Sequence, residues 1–245
     1  MSYLSVKHYL CITMASEVFC FKEFAVRQVA SAMKVGTDSV LLGAWAGVEG
    51  ARSILDVGTG TGVVALMAAQ RNRSAMIDAV EIDSQAALEA TLNFRRSPWA
   101  DRLRVECVDF KSYSSPERYD VIVSNPPYFI SGKASPDARR ACSRHTDSLP
   151  FEVFFAKCRE LLSERGRLSL IAPVEVKQQV EFLAGEQGLW MSRRLSVSTT
   201  ARKQPRRLLW EFSVMPSSLV YEELCLQSDK GRSDEYDFLT KDFYL

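Results

Sequence analysis

The tetrapeptide Asn125-Pro126-Pro127-Tyr128 is the most specific chemical signal in the sequence, because it can hold a planar NH₂ group. The two prolines fix the backbone and lack N–H donors, which leaves carbonyl groups free. The side-chain oxygen of Asn125 and the carbonyl of Pro126 can then both accept from one amine and direct its lone pair at an electrophilic methyl group. Tyr128 can stack on a planar substrate, which contributes roughly 1–3 kcal/mol per base. The motif predicts methylation of an amine by positioning and electrostatic support, without a general base or a metal; a proline-rich turn after a strand is the alternative.

A glycine-rich loop at 58–62 follows the short apolar segment that ends in Asp56-Val57. In an open α/β sheet, the first such loop contacts a ligand beyond the carboxyl ends of the strands. Its third glycine comes one position earlier than in the G-x-G-x-x-G pattern of dinucleotide sites. Asp56 would also repel a pyrophosphate but could attract the ammonium of a methionine moiety. A tight turn needed only for packing is the alternative interpretation.

Carboxylates also stand at the ends of the next two predicted strands, in Glu81-Ile82-Asp83 and in Asp109-Phe110. An acid at the end of the second strand can bind a ribose diol, and Glu81 is the better placed. Asp83 is expected at the N-terminus of the following helix. Asp109 can accept from an adenine amine, with Phe110 against the ring. Each acid alone could be a solvated loop carboxylate, but three acids at three successive strand ends favour a common ligand.

An alternation of strands and helices must position these residues. Hydrophobic periodicity predicts strands at 53–57, 75–82, 103–108, 119–124, 167–172, 192–199 and 208–215. It predicts helices at 63–70, 84–94, 151–162 and 176–186, after a first helix that contains 40–45. Gly166 is expected to end the helix at 151–162. Strands separated by helices indicate the α/β class, with a parallel sheet covered by helices on both faces.

The composition bounds the class of protein. A chain of 245 residues with 47% hydrophobic content can bury one core. Six scattered cysteines without a C-x-x-C pair argue against a structural zinc site or a disulfide scaffold and fit a reducing cytosol, so a cytoplasmic protein is expected. No apolar run approaches the ~18 residues that span a bilayer. One domain is predicted over 19–245 after a poorly patterned extension at 1–18, of which residues 1–13 are expected to be dispensable.

Charge is unevenly distributed although the total is balanced, with 31 basic and 30 acidic residues. No acid lies between Gln187 and Trp210, and the basic residues there are Arg193, Arg194, Arg202, Lys203, Arg206 and Arg207. A second basic group contains Lys133, Arg139, Arg140 and Arg144, followed by His145. Both groups would flank the active-site end of the sheet, which predicts a polyanion partner. A solvated basic hairpin and an incidental histidine are the alternatives.

The motifs together resemble a known branch of enzymes. The loop from Asp56 to Gly62, with Glu81, Asp109 and Asn125-Pro126-Pro127-Tyr128, is similar to the amino-methyltransferase branch of the S-adenosylmethionine-dependent Rossmann-like enzymes. The resemblance implies a Rossmann-like fold, a mostly parallel central sheet with helices on both faces and an antiparallel last strand. It implies S-adenosylmethionine as the cofactor and no metal.

Two further segments narrow the resemblance to the bacterial tRNA1(Val) adenine-N6 methyltransferase family. They are Phe21-Lys22-Glu23-Phe24 and the stretch AMKVGTDSVLLGAW at 32–45, with Arg144-His145-Thr146 as additional support. The similarity runs from about Phe19 to the C-terminus. Relatives are expected to have a histidine where this chain has Val26-Arg27-Gln28-Val29, and residues 1–13 have no recognisable counterpart.

The resemblance assigns roles to residues of this chain. The implied catalytic residues are Asn125, Pro126, Pro127 and Tyr128. The implied cofactor-binding residues are Lys34, Gly36, Thr37, Asp38, Asp56, Gly58, Thr59, Gly60, Gly62, Glu81, Ile82, Asp109, Phe110 and Asn125. The expected RNA contacts are Arg140, Arg144, His145, Arg202, Lys203, Arg206 and Arg207, in a monomer that binds the anticodon loop of tRNA. Thr37 or Asp38 could instead, or in addition, cap the following helix.

Other functions compatible with these motifs remain open. The same four-residue pocket can hold the amide of a protein glutamine or an adenine of another RNA or of DNA. A nucleotide-binding dehydrogenase is disfavoured by the early third glycine and by the Asn-Pro-Pro-Tyr loop. A catalytically inactive RNA-binding module is disfavoured because every element of the motifs is intact.

Overall fold

The computed structural model describes residues 17–31, 34–126 and 149–245, and the structural statements below concern those three ranges. Two short strands, β1 (Val18–Cys20) and β2 (Ala25–Arg27), form an antiparallel ribbon ahead of the main sheet. The main sheet contains β3 (Ser53–Val57), β4 (Met76–Glu81), β5 (Leu103–Cys107), β6 (Tyr119–Ser124), β7 (Leu162–Pro173), β8 (Trp190–Thr200), β9 (Arg207–Ser213), β10 (Val220–Ser228) and β11 (Gly231–Arg232). The helices are α1 (Thr37–Trp45), α2 (Val63–Arg71), α3 (Ser84–Arg95), α4 (Phe151–Leu161), α5 (Lys177–Glu186) and α6 (Asp234–Thr240), with a 3₁₀ turn at Val174–Val176.

The order of strands brings the carboxyl ends that precede the predicted site residues to one edge of the sheet. Across the described ranges the order is β5-β4-β3-β6-β7-β9-β8-β10-β11. Strands β3 to β7 run parallel to their neighbours, so their carboxyl ends share an edge. β9 is antiparallel to both β7 and β8, and its first residue, Arg207, pairs with Pro173 at the end of β7. The turn between β8 and β9 therefore lies at the carboxyl edge as well.

The sheet is covered on both faces, as the continuous apolar strands predict. In β3, Ile54 and Leu55 are both fully buried but belong to separate core clusters, because neighbouring side chains of a strand point to opposite faces. One cluster holds α1 and α2, which approach so closely that a Cβ on Gly43 would lie 2.6 Å from the sulfur of Met67. The other cluster holds α4, through Phe154 and Phe155.

Most predicted elements are confirmed within two residues, and the departures have local causes. α4 ends at Leu161 and β7 begins at the next residue, so Gly166 does not end the helix and instead lies buried within β7. β9 is antiparallel and lies inside the sheet because it pairs with both β7 and β8, and the last strand, β11, is antiparallel to β10. Strand β10 was not predicted, since most of its residues are only partly buried or exposed and carry no clear apolar alternation.

Two expectations about the class of protein can be compared with the fold, and a third lies outside the described residues. In the described ranges no helix is long and apolar enough to cross a membrane. Cys107, Cys158 and Cys225 are free, but Cys20 is disulfide-bonded, which the expectation of a fully reduced chain did not include. The first sixteen residues lie outside the described part of the chain, so the proposed dispensability of residues 1–13 stays a prediction.

Candidate active site

The glycine loop, Glu81 and Asn125 lie at the ends of three adjacent strands. The loop follows β3, Glu81 is the last residue of β4, and Asn125 follows β6. Val57, the last residue of β3, pairs with Val80 of β4 on one side and with Ser124 of β6 on the other. Neighbouring strands are about 4.8 Å apart, so the three segments leave the sheet side by side. The Ser124 hydroxyl donates to the carbonyl oxygen of Val57 over 2.8 Å and fixes the two strand ends together.

The three glycines of the loop all have a positive φ but face different surroundings. Their φ angles are 71° at Gly58, 55° at Gly60 and 83° at Gly62. A Cβ at Gly58 or Gly60 would meet no atom within 4 Å, whereas one at Gly62 would lie 2.5 Å from Cε1 of Phe94. Gly62 therefore serves packing between the loop and α3, as the alternative interpretation expected. Gly58 and Gly60 leave open space in which a ligand can approach the backbone.

Asp56 supports the loop from within the protein. It is almost completely buried and accepts from the Thr59 hydroxyl over 2.6 Å and from the Ala65 amide over 3.2 Å, both at Oδ2. Burial raises the pKa of its carboxyl group to about 7, although these two hydrogen bonds lower it. The contacts described for Asp56 thus shape the loop.

Glu81 connects the end of β4 to the glycine loop. Its Oε2 accepts from the Gly60 amide over 2.8 Å, and its Oε1 accepts from the Asp83 amide over 3.0 Å. Glu81 is only partly buried, and the next side chain, Ile82, is 42% exposed. A carboxylate and an apolar side chain therefore stand next to the open space at Gly60. As expected, Asp83 caps α3 by accepting from two backbone amides.

The third acidic site differs from the prediction in one respect. Phe110 is 5% exposed and packs against Phe154 and Tyr113, with ring centroids 6.0 and 6.5 Å away, so its ring is part of the core. The Asp109 carboxylate is partly exposed, accepts from the Lys111 amide and lies 3.3 Å from its ammonium group. A ligand can therefore reach the Asp109 carboxylate, whereas the Phe110 ring packs into the core.

Asn125 follows β6 directly and is half-buried, while Pro126 is buried. Pro127 and Tyr128 lie outside the described residues, as do Lys133, Arg139, Arg140, Arg144 and His145, so their predicted roles stay predictions. The strand that carries Asn125 is thus placed as the motif requires, next to the glycine loop.

Contrary to the sequence prediction, the N-terminus of α1 is not capped by Thr37 or Asp38. The helix is capped at Gly36, whose amide donates to the Ser39 hydroxyl over 3.2 Å, so neither Thr37 nor Asp38 caps it. Asp38 instead forms an ion pair with Arg207, with 2.7 Å between Oδ2 and Nε. Asp38 was predicted to bind the cofactor and Arg207 to bind RNA, but in the structure their side chains bind each other. Lys34 and Thr37 are exposed at the same end of α1.

Two buried polar residues of α3 that the sequence analysis missed hold the lead-in segment in place. Glu89 accepts from the amides of Val29, Ala30 and Ser31 at 2.7–3.2 Å. Asn93 bonds both backbone groups of Arg27 and also donates to the carbonyl of Thr61 in the glycine loop. No sequence signal distinguishes them from ordinary polar helix residues, because their partners are backbone groups far away in the chain.

Only part of the predicted basic stretch is available to a partner. Arg193 pairs with Glu222 over 3.2 Å and Arg194 with Glu181 over 2.9 Å, and their guanidinium groups lie over the rings of Trp45 and Tyr221, respectively. Of the six basic residues in this stretch, three are exposed and have no ion pair with another described residue. They are Arg202, Lys203 and Arg206. These three lie in the turn between β8 and β9, residues 201–206, called the basic turn below.

Comparison with solved structures agrees with this fold. A protein of Agrobacterium tumefaciens described as "a predicted O-methyltransferase" matches with a TM-score of 0.66, over 84% of this chain and 96% of that one, at 17% identity. A candidate RNA methyltransferase of Pyrococcus horikoshii matches with a TM-score of 0.53, over 87% and 96% of the two chains, at 21% identity. At these identities the likeness shows the Rossmann-like methyltransferase fold.

Comparison of sequences is more specific. Residues 26–185 match the methyltransferase small domain family. The tRNA1(Val) (adenine(37)-N6)-methyltransferase of Bacteroides thetaiotaomicron is 46% identical over 95% of this chain and 99% of its own length. The enzyme of the same name from Aliivibrio fischeri is 43% identical over 94% and 98% of the two chains. With this site and at this similarity, the chain belongs to the tRNA1(Val) (adenine(37)-N6)-methyltransferase family, whose members depend on S-adenosylmethionine.

Proposed function

We propose that this chain transfers the methyl group of S-adenosylmethionine to the N6 amine of an adenine in tRNA. The proposed base is the adenine 3′ of the anticodon of tRNA1(Val), on which the named relatives act. The observation that supports this most is the position of Asn125, at the end of β6 and beside the glycine loop at the end of β3. An amine held there would face a cofactor bound over that loop.

The residues of the site fit the proposed cofactor. Gly58 and Gly60 leave open space over a backbone with positive φ, the partly exposed carboxylate of Glu81 stands next to it, and Ile82 offers an apolar surface. When bound, S-adenosylmethionine supplies an electrophilic methyl group. We assign the ribose diol to Glu81, the adenine amine of the cofactor to Asp109 and the methionine end to Lys34, Gly36 and Thr37, since the carboxylate of Asp38 is paired with Arg207. Asp56 would act through the loop, because its described contacts are Thr59 and Ala65.

The chain's own residues would activate the substrate by orientation. The Asn125 side-chain oxygen and the Pro126 carbonyl would accept from the NH₂ group of the substrate adenine, and Tyr128 would stack on the base. These acceptors favour the amine as it becomes cationic, so a base need not remove its proton before attack. The new N–C bond would form as the bond between the methyl group and the cofactor's sulfur breaks, and the amine proton would then leave to solvent.

Charge at the same edge favours an RNA over a protein glutamine as the substrate. Arg202, Lys203 and Arg206 are exposed in the basic turn, and their strands end at the edge where Asn125 lies. A phosphate backbone is the ligand that such a cluster of cations recognises. We further propose that Arg140, Arg144 and His145 contact the same RNA, and that the protein acts as a monomer in the cytoplasm.

The proposal is tested with an unmodified tRNA1(Val) transcript, tritiated S-adenosylmethionine and mass analysis of the digested nucleosides. We expect one N6-methyladenosine per tRNA at the position 3′ of the anticodon, and none in a transcript with guanosine there. Methylation of another adenine, or of a glutamine-containing peptide in preference to tRNA, would contradict the assignment.

A further inference from the structure

The ion pair between Asp38 and Arg207 joins two parts of the proposed site that are distant in sequence. Asp38 is the second residue of α1, and the helix is capped by Gly36 and Ser39 without it. Its carboxylate is therefore available for Arg207, whose Nε lies 2.7 Å from Oδ2. The side chains of the pair are 29% and 37% exposed, so solvent screens this contact only in part.

The same guanidinium group also binds the basic turn. Its Nη1 donates to the backbone carbonyl of Arg206, the last residue of the turn, over 3.1 Å. Arg207 thus connects the first turn of α1 to the backbone next to the three exposed cations. Because its donors already face Asp38 and this carbonyl, Arg207 is poorly placed for a phosphate, unlike the neighbouring Arg206.

The basic turn has few other constraints within the described residues. Its backbone is held by three hydrogen bonds, from the Lys203 amide to Thr200 at 3.0 Å, from the Arg206 amide to Val197 at 2.9 Å and from the Val174 amide to the Arg206 carbonyl at 3.3 Å, and its first four residues are all exposed. α1, by contrast, is buried against α2, the helix that begins after the glycine loop. A link from Arg207 to α1 therefore joins the exposed basic turn to a buried helix of the site.

We infer that Asp38 and Arg207 are a positioning pair, which holds the basic turn so that Arg202, Lys203 and Arg206 meet the phosphates of a tRNA whose adenine lies at Asn125. The inference rests on the proposed function. It removes Arg207 from the predicted RNA contacts and gives Asp38 a partner within the protein.

The test compares two adjacent arginines with the same substitution. Arg206→Met should lower the slope of log affinity for tRNA against log salt by about 0.7–0.9, the change expected for one lost phosphate contact. Arg207→Met should leave that slope unchanged but raise KM for tRNA roughly 2- to 10-fold. Asp38→Asn should raise KM by the same factor, and the double variant should be no worse than either single variant.

Charge exchange provides a second, independent arm. The variant Asp38→Arg with Arg207→Asp should recover part of the loss in KM, whereas each of these changes alone should not. Equal melting temperatures of the variants would show that folding is retained, and the charge-exchange variant covers the case in which Arg207→Met is unstable. Two results would overturn the inference: a fall in salt slope for Arg207→Met equal to that for Arg206→Met, or additive effects of Asp38→Asn and Arg207→Met.

The two levels of the proposal fail in different ways. A wild-type protein that methylates no tRNA would overturn the proposed function, and the inference with it. A wild-type protein that methylates tRNA while Asp38 and Arg207 act independently would overturn the inference alone.

Discussion

The glycine loop and the basic turn lie at the same edge of the sheet but are built in opposite ways. Two contacts that shape the loop join residues closer in the chain, since Asp56 meets Thr59 three residues away and Glu81 meets Gly60 twenty-one residues away. The basic turn is oriented by Arg207 and Asp38, which are 169 residues apart. Contacts between residues that are close in the chain can be recognised from a short stretch of sequence. The ion pair that orients the basic turn cannot, because its two residues are far apart in the chain.

A smaller comparison lies within the loop itself. Gly58 and Gly62 both have a positive φ, but one faces open space and the other the ring of Phe94. The same residue type in one motif would thus serve a ligand at one position and serves packing at another. Substitutions can separate the two roles because they affect different measurements.

The largest effect is expected at the residue that would touch the reacting amine. Asn125→Ala should lower kcat by several orders of magnitude and leave the affinity for S-adenosylmethionine nearly intact, because it removes an interaction made with the reacting amine. Asn125→Asp keeps an acceptor oxygen and should retain part of the activity. Single-turnover methylation and calorimetry measure the two quantities, and a variant with wild-type kcat would show that the pocket lies elsewhere.

The comparison of the glycines predicts the next largest effect. Gly62→Ala should destabilise the fold by roughly 2–5 kcal/mol, because a left-handed backbone and a clash with Phe94 combine. Gly58→Ala should cost only about 1–2 kcal/mol of stability, from the backbone alone, yet weaken cofactor binding. Urea unfolding and calorimetry on both variants distinguish the roles. Equal losses of stability at the two positions would remove the distinction drawn here.

Loss of the Glu81 carboxylate should weaken binding of the cofactor without disturbing the hydrophobic core. Glu81→Ala is expected to weaken S-adenosylmethionine binding by roughly 1–3 kcal/mol, the scale of a lost charged acceptor. Glu106→Ala, on the exposed side of the neighbouring strand β5, is a matched control that should bind normally. Unchanged affinity in a folded Glu81→Ala protein would reject the assignment of the ribose to this residue.

The smallest effect, and the most dependent on conditions, concerns the basic turn. Reversing the charges of Arg202, Lys203 and Arg206 should reduce the salt dependence of tRNA binding and spare cofactor binding. The matched control reverses Arg52, Arg73 and Arg118, which are exposed at the opposite edge of the sheet. If both triple variants lose affinity equally, the attraction is a property of total charge and not of this turn.

The features that the sequence could predict are those set by residues close to one another in the chain. The bounds of β3 and β6 were predicted to the residue, and Asp83 as a helix cap, because hydrophobic spacing and capping act within a few residues. The burial of Phe110 and the ion pair of Asp38 were not predicted, because each depends on elements that pack from elsewhere in the chain. Glu89 and Asn93 escaped notice for the same reason.

The central claim, that Asn125 at the end of β6 presents a tRNA adenine to the cofactor, has one most direct test. Bulk tRNA from a bacterial strain that lacks its own enzyme of this family is digested and its modified nucleosides are mapped by mass, before and after complementation with this chain or with its Asn125→Ala variant. We predict that N6-methyladenosine 3′ of the anticodon of tRNA1(Val) returns with the wild-type chain only. Its return with the Asn125→Ala variant at the wild-type level, or its absence with the wild-type chain, would contradict the account.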